Sequence, residues 1–382
     1  MHIAIVAPEF PPEIGGMQTL AAEFAGELVA RGHRVTVLTR RRETPAPALP
    51  GIELHQTLLG RAGPDLAECR RIQPDAWHVM NAAYAWLALH FSPTVVSIHG
   101  NDFLRPYISV GEPDLGRLPG AWRSTRLRPA VERGIGRWRT PRLMRAGLGR
   151  AAHILANSRY TERVFLERFP ECRGRTTAAM VGVGAGFLAM PAGRSAAPAA
   201  RLITVCRLSE ERKNVELVLQ ALARLQGRFD FTYTVVGDGG LRPALEQMAQ
   251  ALGLAAQVRF TGFLPIEQVR SELAASDLFV LTAGQNLGSH EGFGIVYLEA
   301  NACGTPTLAA RLAGAAEAVD EGVSGYFAEP LTVDGVARAL DRFLGDELRF
   351  SAEACRQFAG RFTWAKVVDA ALPWYAGSPE SA

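Results

Sequence analysis

The sequence contains little cysteine. Its 382 residues include five cysteines. They are Cys69, Cys172, Cys206, Cys303 and Cys355. Their odd number argues against a disulfide framework, and their scatter shows no metal-ligand spacing. We therefore expect the protein to work in a reducing compartment.

Long apolar runs are also missing. No stretch approaches the roughly 18 uninterrupted apolar residues of a membrane-spanning helix. The apolar run from Ile3 to Ala7 lacks a basic segment before it and stops at Pro8, so it is typical of a first β-strand and not of a signal peptide. These features predict a cytoplasmic protein.

Lysine is nearly absent, because 39 of the 41 basic residues are arginine. The formal net charge is only +3, and nothing in its distribution predicts a nucleic-acid partner. The charge is concentrated in residues 105–150, which contain eleven arginines and three acidic residues. This excess either attracts phosphate or anionic lipid, or reflects arginine on ordinary solvated faces.

What is present is a repeated alternation of strand and helix. Buried strands are predicted at 2–7, 34–39, 76–80, 94–99 and 152–156, with an amphipathic helix over 19–31. The pattern restarts with strands at 201–206, 231–236, 257–261, 278–281 and 307–309. Such alternation is typical of parallel sheets covered by helices on both faces. The chain therefore belongs to the α/β class.

Length and composition predict two domains. The first spans 1–188, the Ala- and Pro-rich stretch 189–200 forms a linker, and the second spans 201–361. The final segment has aromatic residues at helical spacing. We expect this helix, within 362–382, to pack back on the first domain.

In open parallel sheets ligands bind beyond the carboxyl ends of the strands, so residues that follow strands are the candidates. Gly15 and Gly16 precede the first helix, where backbone N–H groups can approach an anion. Arg207 and Lys213 follow the first strand of the second domain, and two cations at a helix start favour a bound anion such as a diphosphate. A third turn, Gly237 to Gly240, follows another strand of this domain.

The most informative block runs from His290 to Glu299. It carries Glu291 and Glu299 in a Glu-x7-Glu spacing, with Gly292 and Gly294 between them. A carboxylate accepts two hydrogen bonds from the paired hydroxyls of a ribose or hexose. Backbone N–H groups left free at a helix start near Gly294 suit a phosphate or a sugar.

These motifs, in this order, resemble glycosyltransferase family 4, a retaining group. The resemblance extends from the Gly15-Gly16 loop to Trp364. It also includes segments 97–102, 156–158, 182–184, 261–264 and 304–306. It implies the GT-B fold, in which two Rossmann-like domains face each other across a cleft.

The resemblance also implies roles for individual residues. Arg207 and Lys213 would hold the donor diphosphate, Glu299 the ribose and Glu291 the donor sugar, while His99 would face the transferred sugar. The catalytic candidates are thus His99, Arg207, Lys213 and Glu291. The donor-binding candidates are Gly15, Gly16, Gly237, Gly239, Leu264, Gly292, Phe293, Gly294, Ile295 and Glu299. The acceptor-side candidates are Asn101, Asp102 and Asn157.

The expected partners are a nucleotide diphosphate sugar and a saccharide or lipid-linked acceptor, with contact to an anionic membrane as a further hypothesis. No metal or other cofactor is expected, because Arg, Lys and helix N-termini can stabilise the leaving diphosphate and the sequence has no Asp-x-Asp motif. The family often has Asp where this chain has Gly184, and residues 103–150 form an unusually long basic region. The role of that region in acceptor binding is therefore open.

Three alternatives remain at this point. The acceptor could be a soluble natural product or free sugar. The protein could bind sugar nucleotides without catalysis. A dehydrogenase would need Gly-x-Gly-x-x-Gly after a strand, a pattern that residues 236–240 do not complete.

For retention of the anomeric configuration, front-face attack requires less of the protein than double displacement, since no carboxylate nucleophile stands out.

Overall fold

The structure is a computed structural model that describes residues 1–13, 15–43, 48–117, 126–191, 198–286 and 288–377. The chain divides into two compact units, Met1–Met180 with Trp364–Ala382, and Val181–Thr363. The sequence-based boundary at residue 188 lies inside the second unit. Of the linker predicted over 189–200, residues 192–197 lie outside the described residues.

The first unit is built on a parallel sheet of seven strands. They are β1 (His2–Val6), β2 (Arg34–Arg40), β3 (Ile52–Leu58), β4 (Ala76–Val79), β5 (Thr94–Ile98), β6 (His153–Ala156) and β7 (Thr176–Ala178). The order across the sheet is β3-β2-β1-β4-β5-β6-β7. Strand order reverses between β1 and β4, since β1 pairs with both β2 and β4. Such a reversal is the point at which open α/β sheets bind ligands.

Helices and short 3-10 turns connect these strands. The helices are α1 (Gly16–Ala30), α2 (Ala62–Cys69), α3 (Asn101–Leu104), α4 (Arg128–Leu148) and α5 (Arg159–Arg168). A 3-10 helix, Ala82–Leu89, follows β4. Strands β1, β4, β5 and β6 are buried along almost their whole length, as expected for a sheet covered on both faces.

The second unit contains a parallel sheet of six strands. They are β8 (Ala200–Val205), β9 (Phe231–Val236), β10 (Val258–Gly262), β11 (Leu278–Leu281), β12 (Thr307–Ala310) and β13 (Gly325–Ala328). The order is β10-β9-β8-β11-β12-β13, so order reverses between β8 and β11. The two parallel α/β sheets confirm the predicted fold class.

Helices connect the strands of the second unit. They are α6 (Ala185–Leu188), α7 (Val215–Leu225), α8 (Arg242–Ala251), α9 (Ile266–Ala275), α10 (Ile295–Ala302), α11 (Val333–Leu344) and α12 (Ala352–Ala359). Helix α7 buries Val215, Val218, Leu219 and Leu222, which is the i, i+3, i+4, i+7 spacing of one helix face. This face packs into the apolar core beneath the sheet.

The C-terminal segment belongs to the first unit. Helix α13 (Trp364–Ala371) and the 3-10 turn Leu372–Trp374 pack on α1 and β6. The Tyr375 hydroxyl lies 2.5 Å from Nδ1 of buried His78, and Trp374 stacks on His153 with ring centroids 3.9 Å apart. Within the described part of the chain, no helix combines the length and apolar character needed to cross a membrane.

Candidate active site

In the second unit, the loops after adjacent strands β8 and β9 are joined by backbone hydrogen bonds. The Leu208 N–H donates to the Asp238 carbonyl at 2.9 Å, and the Leu241 N–H donates to the Leu208 carbonyl at 2.8 Å. Arg207, the second residue of the loop after β8, keeps 53% of its side chain exposed and approaches Glu210 at 3.5 Å. It is thus a cation held at the carboxyl edge of the sheet and open to a ligand.

Glu291 forms the centre of a buried charge cluster. One of its carboxylate oxygens accepts hydrogen bonds from Lys213 Nζ at 2.6 Å and from Arg212 Nη1 at 3.0 Å. Arg212 also pairs with Glu210 at 2.7 Å and is only 8% exposed. Burial opposes ionisation of Glu291, but the charges of Lys213 and Arg212 outweigh it and lower the pKa of Glu291 to about 2.

An open pocket of about 250 Å³, solvent included, adjoins this cluster. Arg207 and Lys213 contribute cations to its lining, and Leu208 and Leu241 contribute apolar surface. Glu210, Glu211 and Glu216 also line it, so its two cations are accompanied by three carboxylates.

Glycines shape the backbone around this region. Gly237 has φ of 132° and pairs through its N–H with the Gly262 carbonyl at 2.9 Å. A Cβ there would lie 1.9 Å from the Cys206 carbonyl oxygen, so only glycine permits the close approach of these loops. Gly239 continues the same turn, and half-buried Leu264 follows Gly262 at the end of β10.

The Glu-x7-Glu block leads into helix α10. Gly294 caps the helix in the left-handed region, with φ of 87°, and Ile295 is the first helical residue, as the sequence indicated. The Tyr297 hydroxyl donates to the Leu281 carbonyl at 2.7 Å, which fixes α10 against β11. Glu299 is 8% exposed on this helix.

The residues between the two glutamates are largely enclosed. Gly292 is buried. The Phe293 side chain is 1% exposed and packs on Phe362, with ring centroids 5.7 Å apart. Any contact of Phe293 with a ligand would therefore be made by its backbone, as the sequence-based assignment assumed.

In the first unit, His99 and Asn157 follow the adjacent strands β5 and β6. Both imidazole nitrogens of His99 and the side-chain oxygen of Asn157 are buried; the His99 ring has only a weak hydrogen bond to the Met80 backbone, and the Asn157 oxygen has no partner among the described residues. Burial lowers the pKa of His99 to about 4, so the imidazole is neutral at pH 7. Buried polar atoms without partners are costly, which is expected where a ligand supplies the partner.

Asp102 is tied to the backbone. Its two carboxylate oxygens accept hydrogen bonds from the N–H groups of His99 and Ala82, each at 2.9 Å. Burial raises the pKa of Asp102 against the opposing effect of these bonds. Asp102 thus joins the loops after β4 and β5 and positions His99, while Asn101 begins α3 beside it.

The glycine pair lies at the start of α1 in the first unit. Gly15 is the N-cap residue and Gly16 the first helical residue. A Cβ on Gly15 would lie 2.5 Å from Oε1 of Gln18. Ile14, directly before the pair, lies outside the described residues.

The structure thus groups the predicted residues at the carboxyl edges of two sheets. Arg207, Lys213 and Glu291 come together in the second unit, and His99, Asp102 and Asn157 lie on neighbouring loops of the first. Sequence analysis missed Arg212. In a chain with so many arginines it carried no distinguishing signal, and only the fold brings it to Glu291.

Comparison with known proteins agrees with this arrangement. The family model described as "Glycosyl transferases group 1" matches residues 193–361, and the one described as "Glycosyltransferase Family 4" matches residues 14–178. The chain is 30% identical to the GDP-mannose-dependent alpha-(1-6)-phosphatidylinositol monomannoside mannosyltransferase of Mycolicibacterium smegmatis, over 91% of this chain and 90% of that protein. It is 28% identical to the D-inositol 3-phosphate glycosyltransferase of Geodermatophilus obscurus, over 96% and 86%.

Among solved structures, sucrose-phosphate synthase from Thermosynechococcus elongatus has a TM-score of 0.76 at 19% identity, over 98% of both chains. That likeness concerns the GT-B fold. Together with the full-length relative at 30% identity and the two family models, it leads to one conclusion. The chain belongs to glycosyltransferase family 4 and is a glycosyltransferase.

Proposed function

We propose that this enzyme is a retaining hexosyltransferase that uses a nucleoside diphosphate hexose and acts on a lipid-linked saccharide or glycolipid of the cell envelope. The observation that carries the donor assignment is the Glu291 cluster with Arg212 and Lys213 beside exposed Arg207. The mannosyltransferase relative is named for a GDP-sugar donor and a phosphatidylinositol mannoside acceptor, which supports the same classes here.

The charges of the cluster suggest how the donor binds. Lys213 and Arg207 would bind the diphosphate, which is a stronger anion than one carboxylate. Glu291 stays ionised because its pKa is about 2, and Arg212 keeps it oriented. Its carboxylate would then accept hydrogen bonds from hydroxyls of the donor hexose.

The reaction we propose is a front-face displacement. The acceptor oxygen forms a bond to the anomeric carbon on the side from which the phosphate leaves, and the bond between that carbon and the phosphate oxygen breaks. The acceptor proton passes to the departing phosphate oxygen, so the products are a glycoside of unchanged configuration and a nucleoside diphosphate. Arg207 and Lys213 stabilise the charge on the leaving diphosphate, and neutral His99 would contact the transferred sugar.

Turnover with defined donors tests this proposal. The full chain is incubated with GDP-mannose or UDP-glucose and a bacterial glycolipid extract, and acceptor-dependent release of nucleoside diphosphate is measured. NMR of the product should show the anomeric configuration of the donor, and excess EDTA should leave the rate unchanged. Tight donor binding without transfer would favour a non-catalytic protein. An inverted product would refute retention, and loss of activity in EDTA that Mg²⁺ restores would refute the metal-free reaction.

The exposed side of α4 supports the lipid part of the proposal. Arg133, Arg137, Arg139 and Arg142 are exposed along it, and the first three form no ion pair among the described residues. Trp138 lies between them with 60% of its surface exposed, and the Arg142 guanidinium is 4.0 Å from its ring centroid. Each cation near an anionic membrane contributes about 1 kcal/mol, and tryptophan favours the interface. Leu118 and Trp122, apolar residues of the same basic region, lie outside the described residues.

Liposome co-sedimentation tests this surface. We expect binding to anionic vesicles that weakens as salt rises and is absent for neutral vesicles. Arg137→Gln combined with Trp138→Ala should reduce it, whereas Arg173→Gln, at another exposed arginine of the same unit, should not. Absence of binding to either type of vesicle would favour a soluble acceptor.

A further inference from the structure

Three polar side chains that are not part of the proposed donor site lie near the point where strand order reverses in the first unit. Glu9 follows β1, Asn81 follows β4 and Tyr107 follows β5, and these three strands are neighbours in the sheet. Residues at such a reversal lie at the usual ligand-binding edge of an α/β sheet.

The Tyr107 hydroxyl joins the other two side chains. It donates a hydrogen bond to a Glu9 carboxylate oxygen and accepts one from Asn81 Nδ2 at 2.8 Å. The Asn81 amide is itself fixed, because it is buried and its oxygen accepts from the Ala83 N–H at 3.0 Å. Burial of the hydroxyl and the charge of Glu9 raise the pKa of Tyr107, so the phenol remains protonated.

The Tyr107 ring, in contrast, is open to solvent. The residue is 51% exposed although its hydroxyl end is held. An aromatic ring held at one end and exposed over much of its surface presents a rigid apolar platform with polar groups at its rim. Because this surface lies at the usual ligand-binding edge of the sheet, it is suited to a bound partner.

The chemistry of the group selects the kind of partner. A carboxylate, an amide and a phenol provide donors and acceptors for several hydroxyls, and the ring provides a surface for the C–H face of a saturated ring. The matching ligand is therefore a cyclic polyol.

We propose that Tyr107, Glu9 and Asn81 form a subsite for the polyol ring of the acceptor, either a hexose or an inositol. This inference rests on the proposed transferase function, because it takes the ligand to be the acceptor. Tyr107 contributes the stacking surface, Glu9 accepts from ring hydroxyls, and Asn81 keeps the phenol in place. The subsite would thereby determine which ring the enzyme accepts.

Direct binding to the full chain tests the subsite without any donor. Saturation-transfer NMR is measured with methyl α-D-mannopyranoside and with myo-inositol as probes. Transfer to the mannoside alone identifies a hexose subsite, transfer to inositol alone an inositol subsite, and transfer to both the shared chemistry. Absence of transfer to both probes overturns the proposal.

Variants separate binding from a structural role. Tyr107→Leu, which removes ring and hydroxyl, should weaken probe affinity about tenfold, and Tyr107→Phe, which keeps the ring, about threefold. Leu89→Ala, at a residue 40% exposed in the same unit, should have no effect. The subsite is also overturned if both Tyr107 variants lower the melting temperature while probe affinity stays unchanged.

The outcomes separate failure of the subsite from failure of the proposed transferase function. If the wild-type protein binds a probe through Tyr107 but does not transfer sugar from any donor, the transferase proposal fails and the polyol subsite stands. If transfer occurs and its KM for the acceptor is the same in Tyr107→Leu, the subsite fails and the transferase proposal stands.

Discussion

At the scale of single residues, Glu291 and its two cations form a cluster of charges that are paired within the protein. Three charged side chains that are 8% to 14% exposed would be costly if any one were unpaired. Here each cation finds a partner within 3.0 Å. If the donor binds here as proposed, it meets charges that are already oriented.

Lys213 tests this site most directly. Lys213→Ala should weaken binding of both the sugar donor and free nucleoside diphosphate about ten- to a hundredfold, because a charge-assisted hydrogen bond contributes about 1.5 to 3 kcal/mol. Isothermal titration calorimetry measures this change. The chain offers a matched control, because Lys366, the other lysine, is exposed on α13 of the first unit. An unchanged dissociation constant in Lys213→Ala would exclude it from the site.

Arg212 should act through Glu291. Arg212→Gln removes one of the two cations that lower the pKa of Glu291 to about 2, so this pKa should rise. Because the proposed role of Glu291 requires the carboxylate form, the acidic limb of the kcat/KM profile should move to higher pH, while Arg212→Lys restores much of the original profile. A purely structural role would lower the rate at every pH without moving that limb.

At this scale the sequence predicted most of the residues of the candidate site but not which of them are in contact. Arg207, Lys213 and the two glutamates were predicted from their positions after strands and from the resemblance. The contact of Lys213 with Glu291 joins residues 78 positions apart, and no local pattern encodes it. No pattern in the sequence singles out Tyr107 either.

At the scale of elements, buried strands were predicted well because their apolar runs are continuous. Strands β9 and β11 have the predicted bounds, Phe231–Val236 and Leu278–Leu281. Three strands were missed. Edge strand β3 is polar and half-exposed, β7 has only three residues, and β13 begins with Gly325, a residue more typical of turns.

Helix α10 depends on its glycine cap. Gly294→Ala would place a Cβ 2.5 Å from the Tyr297 ring and would force alanine into the left-handed region at a cost of about 1 kcal/mol or more. We expect a lower melting temperature and weaker donor binding, measured by calorimetry. Gly322 is a matched control, because its φ of 80° is similar and a Cβ would meet nothing within 4 Å. If the two alanine variants behave alike, backbone strain alone explains the effect.

At the scale of the whole molecule, the C-terminal segment returns to the unit in which the chain begins. Its Tyr375 hydroxyl meets His78 in the middle of the seven-stranded sheet. Tyr375→Phe leaves a buried imidazole nitrogen without that partner, so the free energy of unfolding should fall by about 1 to 3 kcal/mol. Urea denaturation measures this loss. Arg173→Gln, at an exposed arginine of the same unit, should change it by less than about 0.5 kcal/mol.

Buried histidines predict how stability of the whole protein depends on pH. Burial lowers the pKa of His78 from 6.5 to about 3 and that of His99 from 6.5 to about 4, and His153 and His290 shift in the same direction. As pH falls below 6.5, the unfolded chain binds protons that the folded chain does not.

Stability should therefore decrease from pH 6.5 downward, by up to about 1.4 kcal/mol per pH unit for each fully buried histidine. Glu291 contributes only at lower pH, because its stabilisation is lost between 4.5 and about 2. In the window from 6.5 to 4.5 the histidines lower stability, and the raised pKa values of Asp65 and Asp102 act in the opposite direction. Melting temperatures measured across this window should fall steadily, and His78→Gln, which cannot be protonated, should reduce the slope. A constant melting temperature from pH 7 to 5 would show that the buried imidazoles take up protons in the folded state.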